Sequence, residues 1–295
     1  MSQIVDLTDP LFLEAFKRRQ QEPVDAVPTH LPSLNRICRD DGGGEGLAAG
    51  WFLTLGGNPG FGKSVAALNF CAAASAHTEA IGYVSLEMSA QQLAARFYAI
   101  RSGEAIAHLE RGTLQEGAWE RARAAVDVLP PIYVPERISG AWGEVVEFVH
   151  ECHELGCRYF VIDYMQLVQV GAEEQLHRAI AEITTDLRAW AANTGSVILA
   201  LSQFNRQTSA EYSLQPRPQG LYGGMLLEAS SDLVLLLDHS RYKRDGHLAR
   251  TWLLAAKNRH GPQGQIPILW DYKSLQMREA LDDELAEWPG VDDAR

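Results

Sequence analysis

From Trp51 onward, short apolar runs alternate with amphipathic stretches. The runs at 51–56, 81–86, 131–134, 158–163 and 196–202 have the length and composition of buried strands. Between them, 63–77, 89–101, 116–128, 141–155 and 174–193 repeat apolar positions every three or four residues and predict helices. Strands and helices in alternation predict an α/β fold whose mainly parallel sheet is covered by helices on both faces. After residue 225 the pattern changes. Strands at 233–237, 249–256 and 266–270 follow one another with short connections, so the sheet is expected to end in antiparallel pairs.

Upstream of Trp51 the chain reads differently. Thr8 or Asp9 can cap a helix running to about Gln21, with Pro10 at its first position and Lys17, Arg18 and Arg19 at its basic end. Leu11, Phe12 and Phe16 form an apolar stripe that needs a partner surface, by folding back or by docking on a neighbouring subunit. Pro23, Pro28 and Pro32 mark a linker over 22–32, followed by a short helix over 33–39 and a glycine-rich turn at 41–46. The expected division is a linker segment at 1–32, an α/β domain at 33–275 and an acidic tail at 276–295. No internal repeat or low-complexity segment interrupts it.

With 295 residues, 46% of them hydrophobic, the chain can bury a full core. Four cysteines without a framework spacing, no apolar run of membrane length and no signal-peptide pattern make a reducing cytoplasm the simplest setting. The net charge of −12 argues against a generic nucleic-acid-coating protein. It is uneven: Glu279 to Arg295 holds seven acids and one base, about half of the excess. That tail reads as a solvated end, as an acidic-aromatic docking peptide around Trp288 for a protein partner, or as a mimic of nucleic acid that guards a binding channel.

One eight-residue word supplies the chemistry. Gly57-Asn58-Pro59-Gly60-Phe61-Gly62-Lys63-Ser64 fits the phosphate-binding loop G-x-x-x-x-G-K-[ST] at every fixed position, between a predicted strand and a predicted helix. Its glycines let the backbone approach phosphates, and the helix N-terminus adds partial positive charge. Lys63 can reach the β- and γ-phosphates of ATP and Ser64 can bind Mg²⁺.

A phosphate loop needs partners from the carboxyl ends of neighbouring strands. Glu87, after strand 81–86, can orient and deprotonate an attacking water; the plainer role is a first-turn acid beside the capping box of Ser89 and Gln92. Asp163 closes the apolar run 158–162 and suits a metal-holding carboxylate. Gln203, after strand 196–202, can sense a γ-phosphate or serve as a polar strand cap. Lys257 and Arg259 precede a Gly-Pro turn; on spacing alone they read as a solvated basic turn. His150, His153, Glu154 and Cys157 sit at helical spacing, which a polar helix face explains without a metal.

Asn58–Ser64, Ser85-Leu-Glu-Met-Ser89 with Gln92-Leu93, Val161-Ile-Asp-Tyr-Met-Gln-Leu167, Ala200-Leu-Ser-Gln203 and Lys257-Asn-Arg-His-Gly-Pro262 resemble, in this order, the C-terminal RecA-like ATPase domain of DnaB-type hexameric replicative DNA helicases. The likeness runs from about Val27 to about Tyr272. It implies ATP and Mg²⁺ as ligands, Glu87 as catalytic base, Asp163 and Ser64 at the metal, and Gln203 as the link from nucleotide to DNA-facing loops. It also implies Lys257 and Arg259 as a basic pair acting on a neighbour's nucleotide, with Arg259 as the finger, and the 9–21 helix as the linker helix that builds the ring.

Three departures accompany the resemblance. Only a short segment precedes the linker helix, where the family carries a helical domain that engages primase. Gly220-Leu-Tyr-Gly-Gly-Met225 has no charge where the family places an Arg-Glu pair for single-stranded DNA, and the loop after Asp163 is acidic at 171–174. DNA contacts are therefore expected from Arg178, Arg206, Arg217 and the Arg241–Arg244 run, with Phe204, Tyr212 or Tyr222 for stacking. The leading expectation is a ring-forming ATP-driven motor that translocates on single-stranded DNA and unwinds duplex. The alternative is a RecA-like ATPase that has lost unwinding and regulates or assembles with a protein partner.

Overall fold

A computed structural model of the chain describes residues 26–38, 46–163, 165, 176–205 and 216–286, with the backbone alone at 176–179, 181, 239–243 and 285–286. The expected helix at 9–21, nearly all of the turn at 41–46, the loop at 171–174, Arg206, Tyr212 and the tail beyond 286 lie outside the described residues, as do the side chains of Arg178 and 241–243.

A nine-stranded sheet forms the centre. Its strands are β3 (Phe52–Gly57), β4 (Ile81–Ser85), β5 (Ile132–Tyr133), β6 (Tyr159–Asp163), β7 (Val197–Gln203), β8 (Leu233–Asp245), β9 (Leu248–Asn258), β10 (Gly264–Asp271) and β11 (Gln276–Glu279). They are ordered β11-β10-β9-β8-β3-β7-β6-β4-β5. Strands β8, β3, β7, β6, β4 and β5 run parallel, while β8 through β11 pair antiparallel. The expected mainly parallel sheet with an antiparallel end is thus present.

Both faces are buried, and the alternation along each strand says by what. On β6, Tyr159 and Val161 join one core, while Phe160 and Ile162 join the other. The first core lies under α2 (Lys63–Ala74) and α3 (Ala90–Ser102), through residues such as Ala67, Phe70, Leu93 and Phe97. The second lies under α6 (Trp142–Glu154) and α7 (Leu176–Thr194), through Val145, Val149, Ile183 and Leu187. Ser89 caps α3, accepting from the Gln92 amide while the Gln92 side chain accepts from the Ser89 amide.

Several elements were not predicted. A two-residue pair, β1 (Ala26–Val27) and β2 (Leu47–Ala48), precedes the sheet, and α1 (Pro32–Cys38) matches the expected short helix. The described residues also form helices α4 (Ile106–Arg111), α5 (Glu116–Asp127), α8 (Gly224–Ser230) and α9 (Asp282–Ala286); α5 was expected, α4, α8 and α9 were not. Strand β8 continues eight residues past the expected end at 237 because its polar second half pairs with β9 beyond an irregularity between Asp238 and Lys243. No helix among the described residues is long and apolar enough to cross a membrane.

The sheet also runs past residue 275. Asn69, on α2, donates to the carbonyls of Val65 (2.8 Å) and Leu275 (2.9 Å), and its side-chain oxygen accepts the Met277 amide (3.0 Å). Replacing Asn69 with Ala strands two backbone groups at this edge. The expected cost is about 2–3 kcal/mol, read as a lower urea midpoint; an unchanged midpoint would show that β11 is not held through this side chain.

Candidate active site

The phosphate loop leaves β3 at Gly57 and enters α2 at Lys63. Gly60 and Gly62 have φ of 77° and 84°, in the left-handed region where a side chain is strained. At Gly62 a Cβ would also sit 3.3 Å from the Trp270 ring. Gly62 supplies no side-chain cap and the first turn of α2 carries no acid, so the helix N-terminus keeps its positive character toward the loop. The Lys63 ammonium is buried and donates to the Gly57 and Asn58 carbonyls, both at 3.0 Å. Burial pushes its pKa down to about 8, against the opposing pull of the Asp163 and Glu87 carboxylates.

Asp163 ends β6, in register with Ser85 at the end of β4. Burial pushes its carboxyl pKa up, and the Ser64 and Tyr83 hydroxyls beside it act in the opposite sense. Tyr83 donates to Oδ2 at 2.8 Å. The other oxygen, Oδ1, is buried and makes no hydrogen bond. A buried carboxylate with an orphaned oxygen beside a serine hydroxyl fits a hydrated divalent cation, which would satisfy it. Sequence reasoning missed Tyr83; its place on the same face of β4 as Ser85 was the available signal.

Glu87 lies two residues beyond β4, exposed, in a turn fixed by Ser85 Oγ, which accepts the Met88 amide (2.9 Å) and donates to the Met88 carbonyl (2.8 Å). Its charge is felt at both Lys63 and Asp163. Gln203 ends β7 directly beside Gly57 in the parallel register. Its carbonyl accepts the Tyr222 amide (2.8 Å), and Phe204 bridges Leu221, so this strand end is tied to the uncharged 220–225 stretch. Lys63, Ser64, Asp163, Glu87 and Gln203 therefore gather at one end of the sheet. Arg217 is exposed just before a single 3₁₀ turn, Pro218–Gly220, and Tyr222 is half-buried against the second core.

Lys257 and Arg259 do not join them. They sit at the far end of β9, level with the start of β8. There Arg259 donates to the Ala229 carbonyl (2.9 Å) and reaches Asp232 at 3.4 Å, while Lys257 bonds the carbonyls of Glu228 and Ala229. Asp232 also accepts the amide of Phe52, the first residue of β3. The six residues of β3 thus stand between this turn and the phosphate loop, about 17 Å of strand. At the helical spacing of His150, His153 and Cys157, the two histidine rings edge onto Trp190, and Cys157 hydrogen-bonds Cys152.

A family model for the DnaB-like helicase C-terminal domain matches residues 26–279. The chain belongs to this family. Among curated DnaB relatives, it is 27% identical over 266 residues to a replicative DNA helicase of Leifsonia xyli, covering 87% of this chain and 56% of that protein. It is 26% identical over 292 residues to the replicative DNA helicase of Geobacillus stearothermophilus, covering 95% and 62%. The chain therefore spans about three-fifths of the length of these relatives.

Solved structures agree on the fold. A DnaB-like replicative helicase studied for its interactions with primase superposes with a TM-score of 0.75 at 18% identity, covering 94% of this chain and 67% of that one. A KaiC-like protein from Pyrococcus horikoshii gives 0.57 at 16% identity, covering 88% and 100%. The DnaB-family chain has the RecA-like ATPase fold, as expected.

The buried ammonium of Lys63 has a consequence for stability. Its pKa is about 8 in the folded chain and 10.5 when unfolded, so between those values the unfolded chain holds the extra proton and stability rises with pH. Relative to Lys63→Met, the wild type should gain up to about 3 kcal/mol between pH 7 and pH 10. Denaturation midpoints of both proteins at the two pH values check this. A constant difference would place the ammonium in water.

Proposed function

We propose that the chain is the motor domain of a ring-forming, ATP-hydrolysing helicase that translocates on single-stranded DNA and unwinds duplex. The observation that carries this reading is the division of the catalytic set. Lys63, Ser64, Asp163, Glu87 and Gln203 meet at one end of the sheet, and Arg259 stands at the other, so one subunit holds a site that only a second can complete. Head-to-tail contacts that repeat this arrangement close into a ring, here a hexamer.

Each residue has a distinct task. Lys63 leaves its loop carbonyls for the β- and γ-phosphates of ATP, with the loop from Asn58 to Gly62 donating backbone amides. Ser64 and Asp163 would hold Mg²⁺, which when bound neutralises phosphate charge. Glu87 takes the proton of the attacking water, and Gln203 reads the γ-phosphate and passes its presence to the 220–225 stretch. Arg259 of one subunit, with Lys257 behind it, stabilises charge developing on its neighbour's nucleotide. The 9–21 helix docks on the adjacent subunit. Single-stranded DNA is contacted through Arg178, Arg206, Arg217 and Tyr222, each contributing little alone and more in a ring that grips one strand six times. The acidic tail engages a protein partner, and the protein works in the cytoplasm.

Glu87→Gln tests this reading. The variant should bind ATP like the wild type and hydrolyse it about 10²–10⁴-fold more slowly, while single-stranded DNA stimulates the wild type. Full turnover in the variant would remove Glu87 from the mechanism. Absence of salt-sensitive DNA binding and of stimulation would leave an ATPase that acts on a protein partner instead.

A further inference from the structure

Asp232 is the buried anion at the arginine turn, and no motif in the sequence points to it. It sits at the head of β8 with its side chain 8% exposed. Its amide donates to the Phe52 carbonyl (2.8 Å), its carbonyl accepts the Arg259 amide (2.8 Å), and Oδ2 accepts the Phe52 amide (3.1 Å). The remaining oxygen, Oδ1, faces three cationic or protonatable groups from two elements. Arg259 lies at 3.4 Å, His260 Nε2 at 3.5 Å and Arg188 of α7 at 3.8 Å. The His260 ring stacks on Trp51, with centroids 4.7 Å apart, which fixes it beside the carboxylate.

We propose that Asp232 is the positioning residue for the trans-acting Arg259. This inference rests on the finger reading above and adds the group that aims the finger. Asp232 is too buried to touch a neighbour's nucleotide, so it acts through Arg259. The guanidinium is held by one good hydrogen bond, to the Ala229 carbonyl, and by an ion pair longer than a tight carboxylate fork. It stays about one-third exposed. Such a hold orients the group without locking it. Sharing Oδ1 also makes the finger transferable. When Arg259 turns to a phosphate, Arg188 and His260 remain against the carboxylate, so no buried charge is left unpaired. The same residue clamps the head of β3, which places the finger turn in a fixed frame relative to its own subunit's sheet.

Asp232→Asn keeps the shape and an oxygen for the Phe52 amide but removes the charge. In the full chain it should bind nucleotide within about twofold of wild type and lose about tenfold or more in kcat, with KM for ATP little changed. Mixed with Glu87→Gln, it should regain turnover, because Glu87→Gln subunits lend intact fingers to Asp232→Asn sites. Arg259→Ala mixed with Glu87→Gln is the control. Rescue of Arg259→Ala but not of Asp232→Asn would overturn the positioning role and leave the finger standing. Rescue of neither would overturn the finger itself, and Asp232→Asn at wild-type kcat would also end the proposal. Should the Asn variant fail to bind nucleotide, Asp232→Glu, which keeps the charge but displaces it, enters the same mixing assay with the same expected rescue.

Discussion

A strand of six residues keeps the phosphate-loop cluster and the arginine turn apart. Parallel pairing locks β3 between β7 and β8, so its two ends are fixed relative to everything around them. At one end Gly57 opens into the phosphate loop beside Gln203; at the other the Phe52 amide is bound to Asp232 and, through it, to the arginine turn. Neither end can approach the other without breaking the centre of the sheet. On the proposed reading, this separation sets the direction of assembly, the need for a second subunit and the separate jobs of the two polar clusters.

The phosphate-loop cluster buries charge that its own protein groups do not fully satisfy. Lys63 sits on loop carbonyls with its pKa lowered by burial, and Asp163 keeps an oxygen without a partner. Both features suit ligands that bring the opposite charge. At the other end of the sheet Asp232 faces Arg188, Arg259 and His260, with Lys257 close enough to feel the field of the cluster. On the proposed reading, the cations of this cluster meet an anionic group on a neighbour.

The site strands were legible because they carry unbroken apolar runs, and each falls within a residue or two of its expected bounds. Elements that were missed lack that signal. Helix α8 begins at Gly223-Gly224, where a glycine pair reads as a loop, and Gly224 is packed so closely that a Cβ would sit 2.4 Å from the Pro218 carbonyl oxygen. The outer half of β8 is polar because only pairing with β9 defines it. The candidate site residues Asp163 and Gln203 were readable from their places at strand ends. Arg188 and Asp232 were not, since they meet only in the fold, 44 residues apart along the chain. Spacing alone read Lys257 and Arg259 as a basic turn; the resemblance implied action on a neighbour's nucleotide, and strand direction puts them at the other end of the sheet from Lys63.

The stretch that departs from the family, Gly220–Met225, is attached to Gln203 by backbone hydrogen bonds rather than by charge. On the proposed reading, nucleotide state reaches it through Gln203. The division of the active site is the claim on which the rest depends, and specific ATPase activity measured across protein concentration addresses it most directly. Activity per subunit should rise steeply as subunits assemble and fall away on dilution. Activity per subunit that stays constant down to dilute monomer would contradict it.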